Sequence, residues 1–268
     1  MENTKIVKIY SDILHFLPFV ATKNRSENYE VTRKYGKKTL KLTSSETLNS
    51  YDLITFAQLL DYINTKGYCD GQYMEGRPVI ETTLDLAYLI KSRNISNKLT
   101  TRKQLHKSLN RLFNTTLEYN TDGEISKTRY FYNYDTEENY DSVKVLMNKD
   151  FFDICLKQGM LFNYSRLLEY KKNNYAILLD SYLQGTKTKT RRTRQVSKNG
   201  KYIYEYEYKN TYNEDVLFEK LFSDTIILNK KRFILSKSFK TINKIGKLPL
   251  YVFNKIDKKW IKTPKITT

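Results

Sequence analysis

Three apolar stripes of helical period followed by two strand-like segments leave few folds open to the first 150 residues of this chain. Leu53, Ile54, Phe56, Ala57, Leu60 and Ile63 predict a helix that Gly67 stops. After a turn-rich stretch with Gly71, Gly76 and Pro78, a second helix fits Leu84, Leu86, Ala87, Leu89 and Ile90, capped by Thr82 or Thr83. A third begins at Thr101, which forms a capping-box pattern with Gln104, and runs through Leu105, Leu109, Leu112 and Phe113. Strand-like segments follow at Lys127–Tyr134 and Ser142–Met147. Ahead of all this, residues 5–42 read as an irregular start with strand-like pieces at Tyr29–Thr32 and Thr39–Leu42.

The second half repeats that order with an insertion. A long helix is expected from Tyr164 to Gln184, closed by Gly185. A basic segment, Lys187–Lys209, ends in the alternation Tyr202-Ile203-Tyr204-Glu205-Tyr206-Glu207-Tyr208, the pattern of a strand with one wet face. Val216, Leu217, Leu221 and Phe222 suit a short helix, and Phe239, Ile242 and Ile245 another that ends at Gly246. Leu248–Phe253 and Lys259–Lys262 close the chain as a hairpin. The expected class is α+β, two tandem winged helix-turn-helix domains at 1–150 and 151–268, jointed near Lys149–Gly159, in a repeat of elements rather than of letters.

Charge supplies the function class. Lys and Arg number 47 against 29 acidic residues, a net +18. Residues 1–150 hold 22 basic and 19 acidic side chains, and residues 151–268 hold 25 and 10. A general Lys-rich, low-GC bias does not produce that asymmetry. A basic surface of this size attracts a polyanion and gains free energy by releasing its counterions. An anionic membrane fits less well, since the cations are not gathered on one long amphipathic helix. No apolar run is long enough to span a bilayer and the start lacks a secretory signal, so the expected location is cytoplasmic. Cys69 and Cys155 are far apart and share no neighbourhood with His15 or His106, which predicts reduced thiols and no zinc site.

The candidate DNA-binding residues fall into groups. On the third helix, Lys103, His106, Lys107, Asn110, Arg111 and Asn114 oppose Leu105, Leu109 and Leu112, as a major-groove recognition helix requires. Lys127 and Arg129 sit on the following hairpin. In the second half, Lys237, Lys240, Asn243 and Lys244 oppose Phe239, Ile242 and Ile245 on a helix from Ser236 to Ile245, and Lys230, Lys231 and Arg232 lead into it. Between the two lies Lys187–Arg194, where Lys189, Arg191, Arg192 and Arg194 interleave with threonines and suit phosphate or minor-groove contacts. The bland alternative for each group is a solvated surface.

Enzyme signatures are thin. Neither Gly36-Lys37 nor Gly246-Lys247 has the flanking residues of a phosphate-binding P-loop, and two histidines cannot build the metal site of a rolling-circle nickase. Glu205-Tyr206-Glu207-Tyr208-Lys209 matches half of a magnesium-dependent restriction-type nuclease site, but its other half, an Asp on a preceding strand, is missing because Asp180 falls in a helix pattern. No cofactor and no catalytic residue are expected.

The tandem winged-helix order, the basic second unit and the linking helix Arg166-Leu167-Leu168-Glu169-Tyr170-Lys171-Lys172-Asn173-Asn174-Tyr175-Ala176-Ile177-Leu178-Leu179 together resemble the plasmid replication initiators of the iteron-binding type, over residues 45–262. That resemblance implies binding of repeated origin DNA as a monomer and self-repression as a dimer. It further implies a first unit for dimerisation and accessory contact, a second that reads the repeat, and recruitment of the host's initiator and helicase. Lys103, Lys107 and Arg111 would then occupy the first recognition helix and Lys237, Lys240 and Lys244 the second, while the basic insertion at 187–209 departs from the family pattern. A winged-helix repressor and the nuclease are the competing readings.

Overall fold

Val7 and Ile9 are buried while Ile6 and Lys8 face water, and that period of two lays down β1 (Ile6–Ile9) where an irregular start was expected. The computed structural model describes residues 5–22, 25–136, 141–171, 173–186, 189–196, 202–208, 211–222, 226–245 and 251–262, with backbone alone at 133–136, 189–196, 202–208 and 262. After β1 come α1 (Ser11–Phe16) and a hairpin of β2 (Glu27–Tyr35) and β3 (Lys38–Glu46), turned by Gly36-Lys37 with Gly36 at φ +59. Helix α2 (Ser50–Lys66) starts with a true capping box: Asn49 accepts from the Tyr51 amide at 2.9 Å, and Asp52 accepts from the Asn49 amide at 2.8 Å. β4 (Cys69–Asp70), β5 (Val79–Asp85), α3 (Leu86–Ser92) and α4 (Leu99–Phe113) follow. Then come β6 (Thr116–Thr121), β7 (Glu124–Arg129), β8 (Phe131–Thr136), β9 (Ser142–Asn148), α5 (Lys149–Gln158) and β10 (Met160–Asn163). The remainder is α6 (Ser165–Glu169), α7 (Asn174–Gly185), β11 (Lys189–Val196), β12 (Tyr202–Tyr208), β13 (Thr211–Asn213), α8 (Glu214–Leu221), α9 (Leu228–Ile245), β14 (Tyr251–Asn254) and β15 (Lys259–Lys262). The class is mixed α+β, as expected. Among the described residues no helix is long and apolar enough to cross a membrane.

Two stretches of this order share one plan. In the first, α2, β5, α3, α4, β8 and β9 succeed one another, and the strands lie in the order β5-β9-β8 with β4 outside β5. In the second, α7, β13, α8, α9, β14 and β15 do the same, with strand order β13-β15-β14. In both, the first strand runs straight into its short helix, which an Asx side chain caps: Asp85 accepts from the Ala87 and Tyr88 amides, and Asn213 from the Asp215 amide. In both, the first amide of that helix donates to the carbonyl just ahead of the last strand, Leu86 to Asp141 at 3.0 Å and Glu214 to Lys258 at 3.2 Å. With α9 set on α4, Arg232 falls on Arg102, Leu235 on Leu105, Lys237 on Lys107 and Ser238 on Ser108. The insertions differ: β6–β7 follows α4 and joins the sheet β2-β3-β6-β7, and β11–β12 follows α7 as a separate hairpin.

Several expected elements shift, each for a local reason. The strand expected at Lys127–Tyr134 divides at buried Tyr130 into β7 and β8, which belong to different sheets, because Tyr130 and Phe131 are buried in succession and break the alternation. The long helix expected at 164–184 divides into α6 and α7: Lys171 takes φ +52, and Asn173 caps a fresh helix by accepting from the Ala176 amide at 3.1 Å. Thr101 and Gln104 form no capping box, since α4 begins at Leu99 and Thr101 already lies inside it. Asp85, not Thr82 or Thr83, caps α3. Helix α9 begins at Leu228, so Lys230, Lys231 and Arg232 are part of the helix rather than its approach.

The two repeats are built on one hydrophobic core. β1 pairs with β10, α7 packs on both α1 and α2, and a border at 150/151 falls inside α5. Gly185 is where α7 meets α1: a Cβ there would lie 2.3 Å from Leu14 Cβ, and the carbonyl of Gly185 is bonded to His15 Nε2 at 2.8 Å. In the second repeat Trp260, the chain's one tryptophan, stacks on Phe239 with centroids 3.9 Å apart. Burial of such a side chain contributes about 1.5–3 kcal/mol and ties α9 to β15.

Candidate nucleic-acid interface

Helix α4 buries Leu105, Ser108, Leu109 and Leu112 against α2 and leaves Lys103, Lys107, Asn110 and Asn114 exposed. His106 is half-buried, and desolvation lowers its pKa, which disfavours the cation that a phosphate contact would use.

Arg111 is not on the exposed arc, and this corrects its assignment. Its Nε and Nη2 donate to Asp52 Oδ1 at 3.1 and 2.9 Å, and its Nη1 to Glu46 at 3.2 Å, with only 7% of the side chain exposed. Asp52 is the hub of this network, with no exposure at all. It also accepts from Ser108 Oγ at 2.6 Å and from Arg25 Nη1 at 3.0 Å. Beside it Arg93 is buried under the Tyr51 ring and donates to Gln58 and Thr55. Burial lowers the Arg93 pKa, partly offset by Tyr51 and Asp52. The network therefore fixes the orientation of α4 on α2, and the sequence reading missed it.

Helix α9 presents the same arc. Leu235, Ser238, Phe239 and Ile242 are buried, while Lys230, Phe233, Lys237, Lys240 and Lys244 are exposed. At 3.6 residues per turn these five fall within an arc of about 80° opposite the buried side. No acidic residue occurs on α9. Two assigned residues leave the arc. Asn243 is spent on β14, donating to the Tyr251 carbonyl at 3.0 Å and accepting its amide at 2.9 Å. Arg232 donates to buried Glu214 at 3.0 Å, much as Arg102 pairs with Asp141 in the first repeat. Lys231 is half-buried on the flank.

Lys127 and Arg129 are exposed on β7, across from Glu118 and Thr116, and Arg129 lies 3.8 Å from Glu75. Lys189, Arg191, Arg192 and Arg194 have their backbone in β11, with Arg192 opposite Tyr206 and Arg194 opposite Tyr204, and their side chains lie outside what the structure describes. Glu205 and Glu207 are in β12, whereas Lys187, Lys209, Gly246 and Lys247 lie outside the described residues. Asp180 is buried on α7 and paired with Arg166.

No protein-family model matches the sequence, and no curated protein matches it. Among solved structures the chain is similar to a crystal structure of domains 2 and 3 of RctB, with TM-score 0.58 and 12% identity over 89% of this chain and 86% of that one. A second crystal structure of RctB domains 2–3 superposes with TM-score 0.55 and 12% identity, over 94% of this chain and 96% of that one. At that identity the likeness is one of fold, and it spans both repeats.

Proposed function

We propose that this protein is a replication initiator that binds repeated origin DNA through two winged helix-turn-helix units, with α4 and α9 as the helices that enter the major groove. The observation that carries the reading is the matched phase of those helices: both turn a polar, basic arc outward in a fold shared with RctB, itself a replication initiator. An α-helix fits the B-DNA major groove, and cations along it gain counterion-release energy from the flanking phosphates. The charge division supports the main contact in 151–268 and an accessory contact in 1–150, and the resemblance to iteron-binding initiators adds dimerisation through 1–150 to the proposal. On this reading the protein acts by binding, not catalysis, and brings the host initiator and helicase to the origin. Selection of bound fragments from the parent replicon tests it. Recovery of direct repeats is expected; a lone promoter palindrome would replace the initiator by a repressor, and Mg²⁺-dependent cutting would replace it by a nuclease.

A further inference from the structure

Phe233 stands apart on α9. It is 68% exposed, the largest apolar exposure on that helix, and it lies in the middle of a cationic arc, with Lys230 one turn before it and Lys237 and Lys240 one and two turns after. The residues behind the arc are fully engaged: Leu235 and Phe239 are in the core, and Ser238 Oγ donates to the Ile234 carbonyl at 2.9 Å. Among the described residues Phe233 takes no part in the hydrophobic core.

An exposed ring among lysines fits a surface that is anionic at its edges and apolar at one spot in its floor. A protein socket for the ring would have to accept Lys230, Lys237, Lys240 and Lys244 as well. The DNA major groove offers both features, since phosphates line its walls and the C5-methyl of thymine is the one apolar group on its floor. Building on the reading of α9 as a groove helix, we propose that Phe233 is a specificity-determining residue that packs on a thymine methyl group. Lys103 holds the equivalent place on α4. The two helices share their buried phase and differ at this position, so they read unlike base pairs rather than two copies of one sequence. That asymmetry suits direct repeats, each bound by one chain in one orientation.

Thymine-to-deoxyuridine scanning of the selected duplex, read by fluorescence anisotropy with the full chain, tests the proposal. Removal of one buried methyl corresponds to roughly a fourfold rise in Kd. Wild type should show that rise at one thymine of the repeat, Phe233→Leu should keep part of it, and Phe233→Ala should bind the thymine and uracil duplexes equally. Trp260 emission, which reports the α9–β15 packing, should be unchanged in both variants. A full uracil penalty retained by Phe233→Ala, or none at any position in wild type, overturns the proposal while DNA binding stands. Phe233→Ala with wild-type affinity and discrimination overturns it too and would assign the ring to a protein partner. Failure of wild type to bind any duplex would overturn this proposal together with the function it rests on.

Discussion

Replacing Asp52 by Asn removes one charge from the centre of the first repeat while keeping the side chain's shape. The carboxylate has no exposure and accepts five hydrogen bonds, from the Asn49 amide, Ser108 Oγ, two nitrogens of Arg111 and one of Arg25. Asn keeps one acceptor oxygen and turns an NH₂ towards donors. Arg111 is then left almost fully buried with Glu46 as its remaining carboxylate, at 3.2 Å and 43% exposed. Removing one partner of a buried ion pair costs about 3–5 kcal/mol. For a chain of this size that lowers Tm by about 6–20 °C. Thermal unfolding followed by circular dichroism measures the change. The double variant Asp52→Asn with Arg111→Met should recover part of it, because removing both charges avoids the stranded cation. A destabilisation below about 1 kcal/mol, or a double variant no better than the single, would show that the network does not hold α4 in place.

Gly185→Ala should destabilise by about 1–3 kcal/mol or more, because its Cβ would sit 2.3 Å from that of Leu14 and force α1 and α7 apart; a denaturation midpoint equal to wild type contradicts this. One thiol should react with Ellman's reagent in the native protein and two after denaturation, since Cys69 is exposed whereas burial pushes the Cys155 thiol up to about 12; fast reaction of both would disprove the packing around Cys155. Burial alone would raise the Asp12 pKa, but His15 at 3.9 Å and the hydrogen bonds donated by Tyr10 and Lys38 outweigh it and lower the value. A lowered folded-state pKa gives stability that is present above the unfolded value and lost as pH falls through the folded one. The stability gap between wild type and Asp12→Asn should therefore be full near pH 7 and shrink below about pH 4; a gap independent of pH would contradict it.

What the sequence made legible is what is local. The helices α2, α3, α4 and α9 announce themselves by period, and the order of elements around them by where that period switches from helical to alternating. Non-local pairing was not legible: nothing in Ile6–Ile9 says that its partner is Met160–Asn163, more than 150 residues away. Arg111 was misassigned because periodicity fixes the direction of a Cα–Cβ bond, while a long side chain can bend around the helix to a partner. That partner, Asp52, lies 59 residues earlier. Asn243 failed likewise, being taken up by β14 eight residues on. Phe233 was within reach: aligning Leu235 and Ser238 with Leu105 and Ser108 puts it opposite Lys103, on the outward arc.

The central claim is that the exposed arc of α9 lies on DNA, and it is tested most directly by the salt dependence of binding. Anisotropy titrations of a repeat-containing duplex across a salt series, for wild type and for the Lys237→Ala, Lys240→Ala, Lys244→Ala variant, give the slope of log affinity against log salt. Each phosphate deprived of its lysine should make that slope shallower by about 0.9, so the triple variant should approach a change of about 2.7 if all three lysines touch phosphate. Arg111→Ala, measured at a temperature where it stays folded, should leave the slope at the wild-type value. A triple variant with an unchanged slope, or an Arg111→Ala variant that flattens it, would contradict the account.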